Sequence, residues 1–132
     1  MSFLLDTDTC SAHLKRPAVL AHRFIQHLGR LSFPTIVLAE LHDWAHLSPD
    51  PSPRLRQIGD LLTEVEAIDF DRPCAEEFGR LRSLLRRQGV VVAPLDLMIG
   101  SVAIAHNLTV VTHNTAHFAR IPGLGLEDWL TP

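Results

Sequence analysis

Ser2-Phe-Leu-Leu-Asp-Thr-Asp-Thr9 is the stretch on which the fold of this chain turns. Its apolar residues 3–5 make a run suited to a short buried strand, and the polar residues that follow can cap a helix. A strand that passes straight into a helix opens a parallel β/α unit. In open parallel sheets ligands bind outside the carboxyl ends of the strands, and Asp6 stands at that end. The competing reading is a turn or cap role, which suits Asp8, one step beyond the apolar run, better than Asp6.

Outward from this segment, strands and helices keep alternating. Residues 17–28 have helical periodicity, with Val19, Leu20, Phe24 and Leu28 on one side. Residues 31–33 are a short strand, and a helix follows from about 36 to 47 with Thr35 as its N-cap. Ser48-Pro-Asp-Pro-Ser-Pro53 reads as an internal loop, residues 55–62 as a helix and 65–70 as a strand. Residues 74–87 form an amphipathic helix that turns Phe78, Leu81 and Leu85 inward. Residues 90–93 lead through Pro94 into an apolar helix at 95–105, then a strand at 108–111 and a last one at 125–130. This order predicts an α/β fold, a three-layer α/β/α sandwich with a mainly parallel central sheet.

Composition narrows the function classes. At 132 residues and 46% apolar, one domain over 1–132 with a real core is expected. The apolar run at the amino terminus is cut at Asp6, so no signal peptide is read there, and the most apolar later stretch is broken by Asp96, so no membrane span is expected. Cys10 and Cys74 have no metal-type spacing and are too few for a disulfide scaffold, which fits a reducing, cytoplasmic location. A net charge of −3 argues against a sequence-independent coat for nucleic acid. It leaves room for a nuclease, because a metal-binding pocket is itself acidic and Lys15 is the only lysine among otherwise Arg cations, which grip phosphate bidentately.

Three acids stand in apolar surroundings. Asp96 is the only formal charge between Gln88 and Ala119. Burying a lone carboxylate costs several kcal/mol or forces its protonation, so it needs a partner or a metal. A first-turn acid after Pro94, stabilised by the helix dipole by roughly 0.3–1 kcal/mol, is the other reading. Glu40 is the only charge in Ile36-Val-Leu-Ala-Glu-Leu41, where a solvated helix position competes with a functional one. Taken with Asp6, these acids lie on elements whose ends can meet at one edge of a parallel sheet. Clustered carboxylates repel unless a cation neutralises them, and hard oxygen ligands select Mg²⁺ or Mn²⁺.

Four segments resemble those of the PIN-domain ribonucleases, and within them the VapC-type toxins of bacterial toxin–antitoxin pairs: Leu4-Leu-Asp-Thr-Asp-Thr9, Thr35-Ile-Val-Leu-Ala-Glu-Leu41, Gly89-Val-Val-Val-Ala-Pro-Leu-Asp-Leu-Met-Ile99 and Val110-Val-Thr-His-Asn-Thr-Ala-His-Phe118. The tail Ile121-Pro-Gly-Leu-Gly-Leu-Glu-Asp-Trp129 is similar too. The resemblance implies a PIN-like fold and an endoribonuclease that hydrolyses phosphodiester bonds with metal-activated water. It implies Asp6, Glu40 and Asp96 as the metal-binding and catalytic acids, Mg²⁺ (or Mn²⁺) as cofactor, and Asp8, Thr112, Asn114 and His117 as positioning residues around them. It further implies an RNA substrate, a small antitoxin protein that inserts Arg or Lys among the acids, and a homodimer. His117 departs from the family pattern, because many relatives carry an acid just before the aromatic residue of the last motif.

Arg80, Arg82, Arg86 and Arg87 are candidates for phosphate contacts, against the alternative of a solvated face with a Glu76–Arg80 pair. Trp44, at helical spacing from Leu41 and Leu47, is expected in the core. Three rival functions stand beside the nuclease. His42-Asp-Trp-Ala-His46, together with His113 and His117, suggests a zinc hydrolase, although Asp43 stands where the zinc-protease pattern needs Glu. Asp6-x-Asp8 suggests an aspartyl-phosphate phosphatase, which requires a later lysine that is missing. A PIN-like module that binds RNA or protein without cutting is the third.

Overall fold

A computed structural model describes residues 1–131. Five strands, β1 (Phe3–Leu5), β2 (Leu31–Pro34), β3 (Glu66–Ile68), β4 (Thr109–Val111) and β5 (Leu126–Glu127), form one sheet in the order β3-β2-β1-β4-β5. Every neighbouring pair is parallel, with Phe3 opposite Leu31 on one side and opposite Thr109 on the other. The connections are α1 (Thr7–Lys15) and α2 (Pro17–Gln26), α3 (Thr35–His46) and α4 (Ser52–Glu64), α5 (Arg72–Arg87) and α6 (Pro94–His106), and the single turn α7 (Thr115–Phe118). Helices α1 to α4 pack among themselves and α5 packs along α6. That grouping is what right-handed crossovers produce when the chain moves outward from β1 in one direction and then returns to the other side.

The central strands are rich in apolar residues because both faces of the sheet are covered. Leu4, Leu5, Phe33, Val110 and Val111 are completely buried. The chain runs from β1 to β3 on one flank and from β4 to β5 on the other. The order therefore reverses between β1 and β4, which opens a crevice at the carboxyl ends of those two strands.

Several boundaries differ from the expectations. The cap of α1 falls on Asp6, whose side chain accepts from the Thr9 amide at 2.9 Å, and Asp8 lies in the first turn instead. Thr35 is the first residue of α3, because Pro34 is still paired in β2 opposite Ile68 and leaves no linker in which Thr35 could cap. Helix α4 starts at Ser52, since a proline near a helix start loses no intrahelical bond. Helix α2 ends at Gln26, ahead of Gly29 with its φ of 82°; Val19 and Leu28 are exposed, and only Leu20 and Phe24 of its proposed stripe are buried. Strands β3 and β5 are shorter than 65–70 and 125–130. Leu81 and Leu85 are buried as expected and Phe78 partly so. Trp44 is only half-buried, with the Arg54 guanidinium 4.7 Å from its ring centre. Among the described residues no helix is long and apolar enough to cross a membrane.

Candidate metal centre at the carboxyl edge of the sheet

Asp6 leaves β1 at the switch between β1 and β4 and is only 3% exposed. Its amide donates to the Val111 carbonyl at 3.1 Å, and the Thr9 hydroxyl donates to the same carbonyl at 3.1 Å, so the ends of β1 and β4 are tied together. Burial pushes the Asp6 carboxyl above its ordinary range; hydrogen bonding from Thr112 and Thr9 opposes that push, and the Asp8 charge adds to it. Thr112, completely buried at the end of β4, also accepts from the Asn114 amide at 2.9 Å, which bends the chain back toward Asp8. The Asn114 side-chain amide then donates to Asp8 at 2.6 Å.

Asp96 sits in the first turn of α6, with Ala93 at the cap position making no side-chain bond. Both readings of Asp96 thus describe it: it is a first-turn acid, and it is also half-buried at the acidic edge. Desolvation raises its pKa, the nearby His117 lowers it, and the Asp8 charge raises it again. His117, on α7, is exposed, and its Nδ1 lies 3.9 Å from Asp96 Oδ2. Glu40, half-buried on α3, accepts from the Thr7 hydroxyl at 2.5 Å, which connects α3 to the first turn of α1. The fold therefore gathers Asp6, Asp8, Asp96, Thr112, Asn114 and His117 at one place, and Thr7 holds Glu40 to the same helix start.

Whether these residues fit a divalent cation is a question of charge and donor type. Among the described residues none of the four acids has an Arg or Lys within 4.0 Å, and Asp96 alone has a His neighbour. Buried Asp6, half-buried Glu40 and Asp96 and exposed Asp8, without an Arg or Lys partner, are an oxygen-rich set suited to a hard ion. The fit is good in chemistry but open in spacing. Among the described residues only Asp71, Cys74 and His106 bring three ligand atoms within 4.8 Å of one another, so Asp6, Glu40 and Asp96 must draw closer to share an ion.

Beside Asp96 a cavity of about 120 Å³ is lined by Val91, Val92, Ala93, His117 and Arg120. Arg120, whose guanidinium donates to the Val91 carbonyl at 3.0 Å, escaped the sequence reading, as did Thr7. Thr7 was legible in principle from its place between Asp6 and Asp8; Arg120 carries no local signal. Of the arginines on α5, Arg82 and Arg86 line a cavity that shares Val91 and Val92 with this one. Arg80 is paired with Glu77 at 2.7 Å, not with Glu76, and Arg87 donates to Ser83 at 3.2 Å.

Against known proteins, residues 3–124 match the PIN domain family. The chain is 36% identical to the tRNA(fMet)-specific endonuclease VapC of Salmonella typhimurium and 33% identical to ribonuclease VapC2 of Rickettsia felis, covering 98% of each chain in both cases. Its fold superposes on the crystal structure of DNA-bound VapBC from Salmonella typhimurium with a TM-score of 0.93 over 98% of both chains. With VapBC2 from Rickettsia felis bound to a promoter DNA fragment the TM-score is 0.91, over 98% of this chain and 99% of that one. Matched over nearly its whole length in both sequence and fold, the chain belongs to the PIN-domain family, among its VapC ribonucleases.

Proposed function

We propose that this protein is a divalent-cation-dependent endoribonuclease, the toxin of a toxin–antitoxin pair, in which Asp6, Glu40 and Asp96 hold Mg²⁺ or Mn²⁺. One observation carries the metal assignment: a buried Asp6 and a half-buried Asp96, both destabilised as anions, have no Arg or Lys partner among the described residues. A cation there would polarise the phosphate and lower the pKa of water.

The chain's own residues supply the positioning. Asp6 is fixed by the Thr9 amide, Glu40 by Thr7 and Asp8 by Asn114. Arg120 and His117 border the cavity next to Asp96, where an RNA phosphate can meet a guanidinium. Without its ion, the same acidic edge is a site for an Arg or Lys side chain of an antitoxin. The relatives solved as VapBC complexes support a protein partner; a homodimeric toxin acting in the cytoplasm completes the proposal.

The test is RNA cleavage by the purified protein with Mg²⁺ or Mn²⁺, with EDTA, and in the Asp96→Asn variant. Cleavage should require the ion and fall at least roughly 100-fold in the variant, the scale of losing one group that stabilises transition-state charge. A folded Asp96→Asn protein with undiminished, EDTA-resistant cleavage would overturn the proposal.

A further inference from the structure

We propose that Asp71, Cys74 and His106 form a second metal site, for a borderline transition-metal ion of the Zn²⁺ class, apart from the acidic edge. The site joins the start of α5 to the end of α6, away from the segment 88–93 that connects the two helices. Asp71 caps α5, Cys74 lies in its first turn, and His106 is the last residue of α6. Asp96 lies in the first turn of α6, so this cluster and the acidic edge stand about 15 Å apart along one helix.

The three residues offer a thiol, an imidazole and a carboxylate, and their ligand atoms all lie within 4.8 Å of one another. Zinc bonds of ~2.0–2.3 Å in a tetrahedron require ligand atoms about 3.5 Å apart. His106 Nε2 and Asp71 Oδ2 already stand at 3.6 Å, the separation such a site needs.

The two oxygens of Asp71 divide their work. Oδ1 accepts from the Cys74 amide at 3.2 Å and secures the start of α5, which leaves Oδ2 turned to His106. Cys74 is buried, with its sulfur 4.0 Å from the Asp69 carbonyl, while the side chains of Asp71 and His106 remain 45% and 34% exposed. Sulfur thus approaches from the interior and solvent from outside, where water completes the fourth position.

Donor softness selects the ion. Mixed sulfur, nitrogen and oxygen ligands favour Zn²⁺ over Mg²⁺, which prefers oxygen throughout. In the metal-free protein the Cys74 thiol is pushed up to about 11, chiefly by desolvation and by its hydrogen bond to Asp71. Binding must therefore release the thiol proton to solvent as the sulfur–metal bond forms, and affinity rises with pH. The competing account is a buried thiol beside a helix-capping carboxylate that forms an ordinary ion pair with His106 at 3.6 Å, and it gives the sulfur no part in binding a metal.

Co²⁺ titration of the full-length, EDTA-treated and desalted protein decides between them. The expected result is one equivalent bound with thiolate-to-cobalt charge-transfer absorption and tetrahedral d–d bands, bleached by Zn²⁺ and unaffected by excess Mg²⁺. Asp6→Asn should leave the spectrum intact and Cys74→Ser should remove the charge-transfer band. His106→Gln, at an exposed helix end, guards against a Cys74 variant that does not fold. It should weaken Co²⁺ binding more than about tenfold, since losing even an outer-sphere partner costs 10–100-fold. No charge-transfer band in folded wild type, its persistence in Cys74→Ser, or unchanged Co²⁺ affinity in His106→Gln overturns the site.

Discussion

Asp6 and Asp71 do the same local job and end in opposite electrostatic states. Each caps a helix that follows a strand, accepting from the amide three residues on, Thr9 at 2.9 Å and Cys74 at 3.2 Å. Asp6 is buried at the crevice between β1 and β4, and desolvation lifts its pKa. Asp71 is exposed at the mouth of α5, and its bonds from Cys74, with His106 nearby, lower its pKa. Capping alone would lower both, because an N-cap carboxylate receives an amide and faces the positive end of a dipole. Burial reverses the sign at Asp6, and that reversal supports the proposal that the carboxyl edge takes a cation.

The comparison breaks most visibly on activity. Asn caps as well as Asp, so Asp6→Asn and Asp71→Asn both keep the helix start. Mg²⁺-dependent RNA cleavage should fall by roughly 100-fold or more in Asp6→Asn, as when a transition-state contact is removed. Asp71→Asn should cleave like wild type. Equal losses in both variants would mean that the Asp6 effect is structural. Circular dichroism and urea midpoints make the distinction, and metal-free Asp6→Asn should unfold at a higher urea concentration than wild type at neutral pH, having lost an anion that burial destabilises.

Stability against pH sharpens the contrast because the two signs are opposite. A carboxyl raised above 3.8 on folding contributes stability that is fully present below that value and is lost as pH rises through the folded pKa. Asp6 and Asp96 belong to this class. Asp71, held below 3.8, contributes stability above that value and loses it as pH falls through its folded pKa. Metal-free Asp6→Asn should therefore gain on wild type progressively as pH rises above about 4, whereas Asp71→Asn should lose relative to wild type at neutral pH and converge with it in acid. Urea denaturation in EDTA from pH 3 to 7.5 measures both. Parallel curves for the three proteins would contradict the assigned shifts.

How far the sequence revealed these differences depends on the residue. The strand–acid pattern at residues 3–6 identified the sheet, and the isolation of Asp96 in apolar sequence pointed to the acidic edge, because both signals come from local composition. Capping was misplaced onto Asp8 because one-residue shifts in a polar run leave no compositional trace. Thr35 was misread for a related reason, since pairing of Pro34 with β3 is a tertiary fact. Arg120, adjacent to Asp96 across the cavity, and the meeting of His106 with Asp71 depend on how α5, α6 and α7 pack, which no spacing encodes.

His117 offers a smaller, graded test at the acidic edge. It faces Asp96 at 3.9 Å and lowers that carboxyl's pKa, working against desolvation and Asp8. His117→Asp replaces this opposing influence with another oxygen ligand and another negative charge. Mg²⁺ should then half-saturate cleavage at a severalfold lower concentration, and Mn²⁺ should lose its advantage, because imidazole suits Mn²⁺ better than Mg²⁺. His117→Ala should require more Mn²⁺ than wild type. An unchanged Mg²⁺ requirement in His117→Asp, with Ala matching wild type, would place His117 outside the metal site.

The smallest effect asks whether α5, whose first turn belongs to the Asp71 region, serves the acidic edge with its last turn. Arg86 lines a cavity that shares Val91 and Val92 with the one beside Asp96, whereas the Arg80 guanidinium is held by Glu77 at 2.7 and 2.9 Å. A guanidinium already paired contributes little to phosphate, and one that faces the cavity is available. Arg86→Ala should raise KM modestly at low salt and leave kcat unaltered, since binding away from the reacting bond stabilises ground and transition states alike. The slope of log KM against log salt should fall by about 0.7, the value for one phosphate contact on a single strand. Arg80→Ala should leave that slope as it is. Identical slopes for wild type and both variants would confine the RNA path to the Arg120 side of the cavity and sever α5 from the acidic edge.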